Sequence, residues 1–258
     1  MTPYLEKGRR TGLVRALSKL GYCSRTQAFD LVRDGRVRLN GNLIRDPEKP
    51  VRLKKDRIEV DGRRIGEARK TYLMLNKPRG LVTTARDEKG RKTVYSLLPE
   101  CHDWIAPVGR LDMASEGLLL LTNDSQWGAR IASPEAHIDK TYHVQVAAAA
   151  GADELLESLK GGVRTKDGDF LTVARVNLLR QGAKNSWLEI VLDEGKNRHI
   201  RRMLEEFGIE VLRLVRVAIG ELQLGDLPKG KARELTKGEV EKLTAKSEHR
   251  RVPRFIKN

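Results

Sequence analysis

The chain has 258 residues, 39% of them hydrophobic, enough for one large domain or two smaller ones around a sizeable core. Its 50 Lys and Arg against 35 Asp and Glu leave a net charge of +15, which points to a polyanion, either nucleic acid or an anionic membrane face. The lack of a long apolar stretch or signal-peptide core argues against the membrane, while two distant cysteines (Cys23 and Cys101) and five scattered histidines offer no disulfide, zinc or other metal framework and suit a reducing cytosol.

The first eight or so residues show no periodicity and read as a loose terminus. Leu13, Ala16, Leu17 and Leu20 then mark one face of a helix that Gly21 ends. Ser24 can cap a second helix with Ala28, Leu31 and Val32 inward, closed by Gly35. Val37 and Leu39 alternate into Asn40-Gly41, the strongest short hairpin signal, and Asp61-Gly62 predicts another hairpin between Ile58–Val60 and Ile65. The helical pair and its exit carry Arg15, Lys19, Arg25, Arg33, Arg36 and Arg38, which read either as an RNA surface or as a solvated charged face. Gly66 to Lys70, short and charged, is the expected domain linker.

Tyr72–Leu75 predicts a strand broken by Asn76-Lys77-Pro78-Arg79-Gly80 and resumed over Leu81–Thr84, with a charged loop from Arg86 to Lys92. The stretch from Val108 to Asp124, VGRLDMASEGLLLLTND, organises the rest. Asp112 sits on a glycine-flanked polar loop whose far end runs into four leucines, too few for a membrane span and suited to a strand or first helical turn buried on both sides. A carboxylate anchored this way is either catalytic or part of an ordinary loop before a core strand.

Lys140 to Val144 alternates as a strand with Lys140, Tyr142 and Val144 on one side, and a strand tyrosine is by default a core residue. Leu155, Leu156 and Leu159 predict a helix over Asp153–Lys160; Phe170–Leu179 and Ser186–Leu192 predict strands separated by a turn near Gly182. In EGKNRHIRRML, from Glu194 to Leu204, bases crowd the start of a helix, where the dipole does not favour them unless anions arrive there. Met203, Leu204 and Phe207 should face inward before Gly208 ends that helix. Arg250 to Asn258 reads as a basic tail, disordered alone, and the chain contains neither an internal repeat nor a complete phosphate-cradling GxxxxGK[ST], since the Gly225–Lys231 string is followed by Ala232.

The Val108–Asp124 string resembles the signature motif of the RsuA-type ribosomal RNA pseudouridine synthases, GRLD-x-x-[ST]-x-GLLLLTND. The LNKP-x-G-x-V-T-T string from Leu75, the K-x-Y-x-V element at Lys140 and the EG-x-NR-x-x-RRM run resemble further motifs of that family, with His199 where glutamine is usual. The first 60 or so residues resemble an S4-like RNA-binding domain, and the resemblance extends from Thr11 to about Ala245.

The resemblance implies an α+β protein: an S4-like domain over 9–66, a catalytic domain over 70–246 with a mixed, largely antiparallel sheet, and a tail over 247–258. It implies conversion of uridine to pseudouridine on a flipped-out nucleotide, an isomerisation that needs no redox cofactor, metal or ATP. Asp112 would be the catalytic carboxylate, Arg201 its bidentate partner, and Tyr142 the ring against the uracil. Arg15, Lys19, Arg25, Arg36, Arg38, Lys77, Arg110, Lys140, Arg198 and Arg202 would contact RNA. The implied partner is ribosomal RNA or a pre-ribosomal particle, met by a cytoplasmic monomer away from any membrane. Two rivals remain at this point: a non-catalytic RNA-binding or ribosome-assembly factor, and a hydrolase that pairs Asp112 with a second acid, for which Glu116 is the nearby candidate.

Overall fold

The computed structural model describes residues 10–84, 87–98, 104–147 and 152–249. The N-terminal segment, Arg86, Cys101 and the basic tail from Arg250 lie outside the described residues. The chain divides into two compact units, one built on the residues up to Thr71 and the other on most of the chain from Tyr72 onward.

In the first unit, α1 (Leu13–Lys19) and α2 (Arg25–Arg33) pack against a small sheet. Leu13, Ala16 and Leu17 are fully buried, as the helical spacing predicts. The Ser24 hydroxyl accepts from Gln27 N at 3.1 Å, and Gln27 Oε1 accepts from Ser24 N at 3.0 Å, a reciprocal cap of the kind that contributes about 1 kcal/mol. Strands β1 (Val37–Leu39), β2 (Asn42–Ile44), β3 (Ile58–Val60) and β4 (Arg63–Ile65) form an antiparallel sheet in the order β2-β1-β3-β4. Asn40 (φ 52°) and Gly41 (φ 87°) both take left-handed backbone, the geometry a two-residue hairpin needs to match strand twist.

The second unit is a nine-stranded mixed sheet with helices. Its main strands are β5 (Tyr72–Lys77), β6 (Glu116–Thr122), β7 (Lys140–Val146), β8 (Arg175–Gln181), β9 (Ser186–Leu192), β10 (Val211–Ile219) and β11 (Ala232–Glu234). Their order is β8-β9-β7-β10-β6-β5-β11, with Ala106–Val108 and Leu222–Gln223 as short additions on β6 and β10. The β8/β9, β9/β7, β7/β10 and β5/β11 pairs are antiparallel, whereas β6 and β10 run parallel. Helices α3 (Ser125–Ala132), α4 (Ala152–Gly161), α5 (His199–Glu205) and α6 (Lys237–His249) complete the unit. Every residue of β6 is buried, which settles the four leucines as a strand with both faces covered.

Several local expectations change. β5 continues unbroken through Lys77. Leu81–Thr84 forms no strand, only the bridge of Val82 to Thr93, and the Thr83 hydroxyl bonds across to Leu111 O at 2.7 Å. Phe170–Leu179 divides, with Phe170–Leu171 pairing to Val163–Arg164 and the chain resuming as β8 at Arg175. Phe207 is 40% exposed because α5 stops at Glu205 and leaves it in the turn before Gly208. α6 runs to His249, past residue 246 where the catalytic domain was expected to end.

Candidate active site

Asp112 lies on the loop that enters β6, between Gly109 (φ 72°) and Gly117 (φ 99°). Gly117 must be glycine because a Cβ there would sit 2.2 Å from Arg216 O on the parallel strand β10. The loop is held by its carbonyls. Leu111 O accepts from Thr83 Oγ1 (2.7 Å), and Asp112 O accepts from Ser115 N (3.0 Å) and Lys77 Nζ (3.1 Å). Met113 O accepts from Gly80 N (2.8 Å), Ala114 O from Arg201 Nη2 (3.3 Å), and Ser115 O from Lys77 Nζ (2.8 Å). Five consecutive peptide oxygens therefore have protein donors, while the Asp112 side chain remains exposed. Backbone this fully bonded cannot swing without breaking several bonds at once.

Lys77 corrects an expectation. Assigned to RNA from the sequence, it is fully buried at the end of β5, and its ammonium donates to Pro78 O, Asp112 O and Ser115 O. Burial pushes its pKa down to about 8, against the opposing pull of Asp112 and Glu116. It cannot reach a phosphate; it braces the loop that carries Asp112.

A pocket of about 330 Å³ opens at this loop. Asp112 and Arg110 line it from the loop, Lys140 and Tyr142 from β7, Arg198 from the N-terminus of α5, and Leu214 and Arg216 from β10. Lys140 and Tyr142 share a face of β7 at period two, and Tyr142 pairs directly with Arg216 across the β7/β10 ladder. Arg198 reaches the pocket in left-handed backbone (φ 49°), an uncommon state for a residue with a Cβ. Asp112 is the carboxylate of the lining, set among Arg110, Lys140, Lys196, Arg198 and Arg216, so the pocket selects an anionic or hydrogen-bonding occupant. Among the described residues no group of His, Cys, Asp and Glu is placed to hold a metal ion.

The bidentate pair between Arg201 and Asp112 does not form. Arg201 gives Nη1 to Val211 O (3.2 Å) and Nη2 to Ala114 O (3.3 Å), so its fork holds main chain next to Asp112 and reaches the carboxylate only through its field. Burial and then the charge of Arg198 lower its pKa, opposed by Asp112. Arg202, also assigned to RNA, instead binds Asp169 (2.8 Å), Asp167 (3.4 Å) and Thr165 Oγ1 (3.1 Å) away from the pocket. One residue of helical rotation separates the two fates. His199 is buried at the pocket wall, and desolvation lowers its pKa.

Glu116 is 1% exposed and bound by Arg213 through Nε (2.8 Å) and Nη2 (3.1 Å) and by Lys229 Nζ (2.5 Å). The Arg213 fork holds its pKa down at about 2, with Lys229 assisting against desolvation. An acid held ionised in this way has no proton to donate, and Glu116 does not line the pocket that Asp112 lines, so the two are not set up as the carboxyl pair of a hydrolase. Sequence reasoning does not single out Arg216, although an arginine inside the apolar alternation of VLRLVRVAI is the signal that could have found it.

In the first unit, Arg15 and Arg25 are exposed and Lys19 half-buried on the helical pair, with Tyr22 and Phe29 exposed on the same pair and its connecting turn. Arg36 is bound in a fork to Asp61 (2.9 and 2.6 Å), and Arg38 donates to Gly41 O (3.0 Å).

Comparison with known proteins agrees with both units. Residues 11–58 match the S4 domain, and residues 71–206 match the RNA pseudouridylate synthase family. The Bacillus subtilis (strain 168) protein named ribosomal large subunit pseudouridine synthase B is 37% identical over 238 residues, covering 92% of this chain and 97% of its own. An RNA pseudouridine synthase of Aquifex aeolicus (strain VF5) is 38% identical over 239 residues, covering 92% and 95%. A crystal structure of a pseudouridylate synthase superposes with a TM-score of 0.63 at 29% identity, covering 90% of this chain and 99% of that one. With an S4 domain ahead of it and relatives aligned along nearly its whole length, this chain belongs to the RNA pseudouridylate synthase family.

Proposed function

We propose that the chain isomerises one uridine of ribosomal RNA to pseudouridine, with Asp112 as the catalytic carboxylate and Tyr142 stacked on the flipped-out uracil. The observation that carries this reading is the immobilised loop: its peptide oxygens are bonded one after another, and its one carboxylate is left at the mouth of a cationic pocket lined by Tyr142. Arg201 acts in this reading as a positioning residue, fixing Ala114 O beside Asp112. Arg110 and Arg198, exposed at the pocket, suit the phosphates flanking the flipped nucleotide. Extrusion of the base costs a few kcal/mol, which contacts from the exposed Arg15 and Arg25 and the half-buried Lys19 of an S4 anchor spanning about 9–66 would offset.

Asp112 either adds to C1′ as the C1′–N1 bond breaks or removes the 2′ proton; both routes need it ionised beside the sugar. The test is Asp112→Asn with RNA tritiated at uracil C5. Loss of tritium release with RNA affinity retained is expected, and turnover within tenfold of the unaltered enzyme would overturn the assignment. Identity to the Bacillus subtilis protein supports the large-subunit RNA as substrate. Mapping pseudouridines in cells with and without the gene should show loss at one large-subunit uridine, and a loss confined to the small subunit would reassign the substrate. In this reading the chain acts as a monomer, in the cytoplasm where that RNA resides.

A further inference from the structure

Two cations of the pocket are not accounted for by gripping phosphates. Arg216 is 95% shielded from solvent, being 5% exposed, and its Nε is pinned to Leu118 O at 2.7 Å. Its Nη2 is buried without an acceptor, and Arg216 makes no ion pair among the described residues. Lys140, half-buried on the neighbouring strand, also has no ion pair among the described residues; burial and then the charge of Arg216 disfavour its ammonium, opposed by Asp139 and Asp193. Holding two cations together in a partly dry pocket is costly unless an anion comes between them. The strand register says which one. Arg216 stands directly opposite Tyr142, and Lys140 lies two residues before Tyr142 on the same face. A ring stacked on Tyr142 would share this pocket with both cations.

We propose that Arg216 and Lys140 form an anion seat that holds the detached uracil as uracilate between cleavage and re-attachment. The inference rests on the reading above that Tyr142 stacks the target base beside Asp112. When C1′–N1 breaks, its electron pair stays with the base and spreads over N1, O2 and O4. The sugar is left bonded to an Asp112 oxygen, or as a C1′=C2′ alkene whose proton is on Asp112. C5 of the turned uracilate then supplies the pair for the new bond to C1′, while Asp112 leaves C1′ or returns the proton to C2′. Finally C5 loses its proton and N1 gains one, so no atom or electron is gained overall. Turning the base about its N3–C6 axis exchanges N1 with C5 and O2 with O4. A seat built on the carbonyl edge therefore meets the same acceptors before and after rotation, and its fixed donors stabilise charge that exists only after cleavage.

The test compares RNA bearing uridine at the target with RNA bearing 5-fluorouridine there, whose base carries negative charge more readily. Consumption of the target nucleoside in single turnover reports cleavage for both. Arg216→Gln should slow uridine about 100-fold, the usual effect of losing a donor to developing charge, and slow 5-fluorouridine distinctly less. RNA affinity and its salt dependence should not change. Lys140→Gln should show the same pattern in smaller measure, and it carries the test alone if Arg216→Gln does not fold. Equal slowing of both substrates, or a salt slope reduced by about one, would overturn the seat, the second outcome marking a phosphate contact. Asp112→Asn serves as the control. If it still turns over, the placement of the reaction in this pocket fails; if it is dead while the other variants do not discriminate, only the seat fails.

Discussion

The ammonium of Lys77 grips Asp112 by its main-chain oxygen, at 3.1 Å, and leaves the carboxylate to the pocket. Lys77 thus holds this loop by its main chain and not by pairing with the carboxylate. Lys77→Met keeps the aliphatic stem and removes three donors at once. We expect a stability loss of about 2–4 kcal/mol from orphaned carbonyls and a kcat reduced about 100-fold by a mispositioned loop. RNA affinity should stay as it was. Chemical denaturation, turnover and filter binding check the three parts separately.

Arg201 and Arg202 should separate cleanly. Arg201→Ala releases Ala114 O and Val211 O and should lower the single-turnover rate at saturating RNA, with Arg201→Lys intermediate because it keeps charge without the fork. Arg202→Ala breaks contacts to Asp167 and Asp169 outside the pocket and should leave that rate nearly unchanged. The reverse ranking would mean that the α5 positioning role belongs to Arg202.

For Tyr142, phenylalanine keeps the ring and should preserve RNA binding, whereas Tyr142→Ala should lose about 1–3 kcal/mol of base stacking. Equal binding by both variants would make the ring a packing residue of the core cluster it touches.

Glu116 predicts an acid limb of stability. Its folded pKa, about 2, lies below the ordinary glutamate value of 4.5, so its contribution is fully present above pH about 4.5 and is lost as pH falls through about 2. The shift corresponds to about 3 kcal/mol at most. Glu116→Gln should be less stable than the unaltered chain at pH 6 and converge on it near pH 2. Parallel denaturation curves at all pH values would refute the pairing with Arg213.

In the S4 unit, Arg15 and Arg25 are exposed and outside any ion pair among the described residues, whereas Arg36 is committed to Asp61. Replacing Arg15 and Arg25 together by Gln should reduce the slope of log K against log salt by about 2, and Arg36→Gln should change it little. Titration over a salt series decides between them.

Interaction range decides how much of this molecule is legible in its sequence. The Ser24 cap, the Asn40-Gly41 turn and the four leucines of β6 are local signals, and each element forms where its residues say it should. Asp112, Tyr142, Lys140 and Arg198 meet in one pocket through motifs that are recognisable without coordinates. The roles of the basic residues are not local. Lys77, Arg202 and Arg216 are chemically alike in the sequence, and only cross-chain carbonyls and carboxylates make one a brace, one a surface pair and one a pocket wall. Over Leu81–Thr84 the expected strand is reduced to one bridge, Val82 with Thr93, and the Thr83 hydroxyl bonds to Leu111 O, far along the chain.

The parallel junction of β6 with β10 sets a schedule for the making of this enzyme. Leu118 and Arg216, joined across it, are separated by 98 positions, so the strand leading from Asp112 emerges from the ribosome long before the strand that carries Arg216. Pairings between such distant segments come late, after loop-closure entropy has been met. A nascent chain with its S4 unit already folded can therefore meet RNA before it has a pocket. The pocket wall that Arg216 supplies is therefore in place only well after the strand leading from Asp112 has been made.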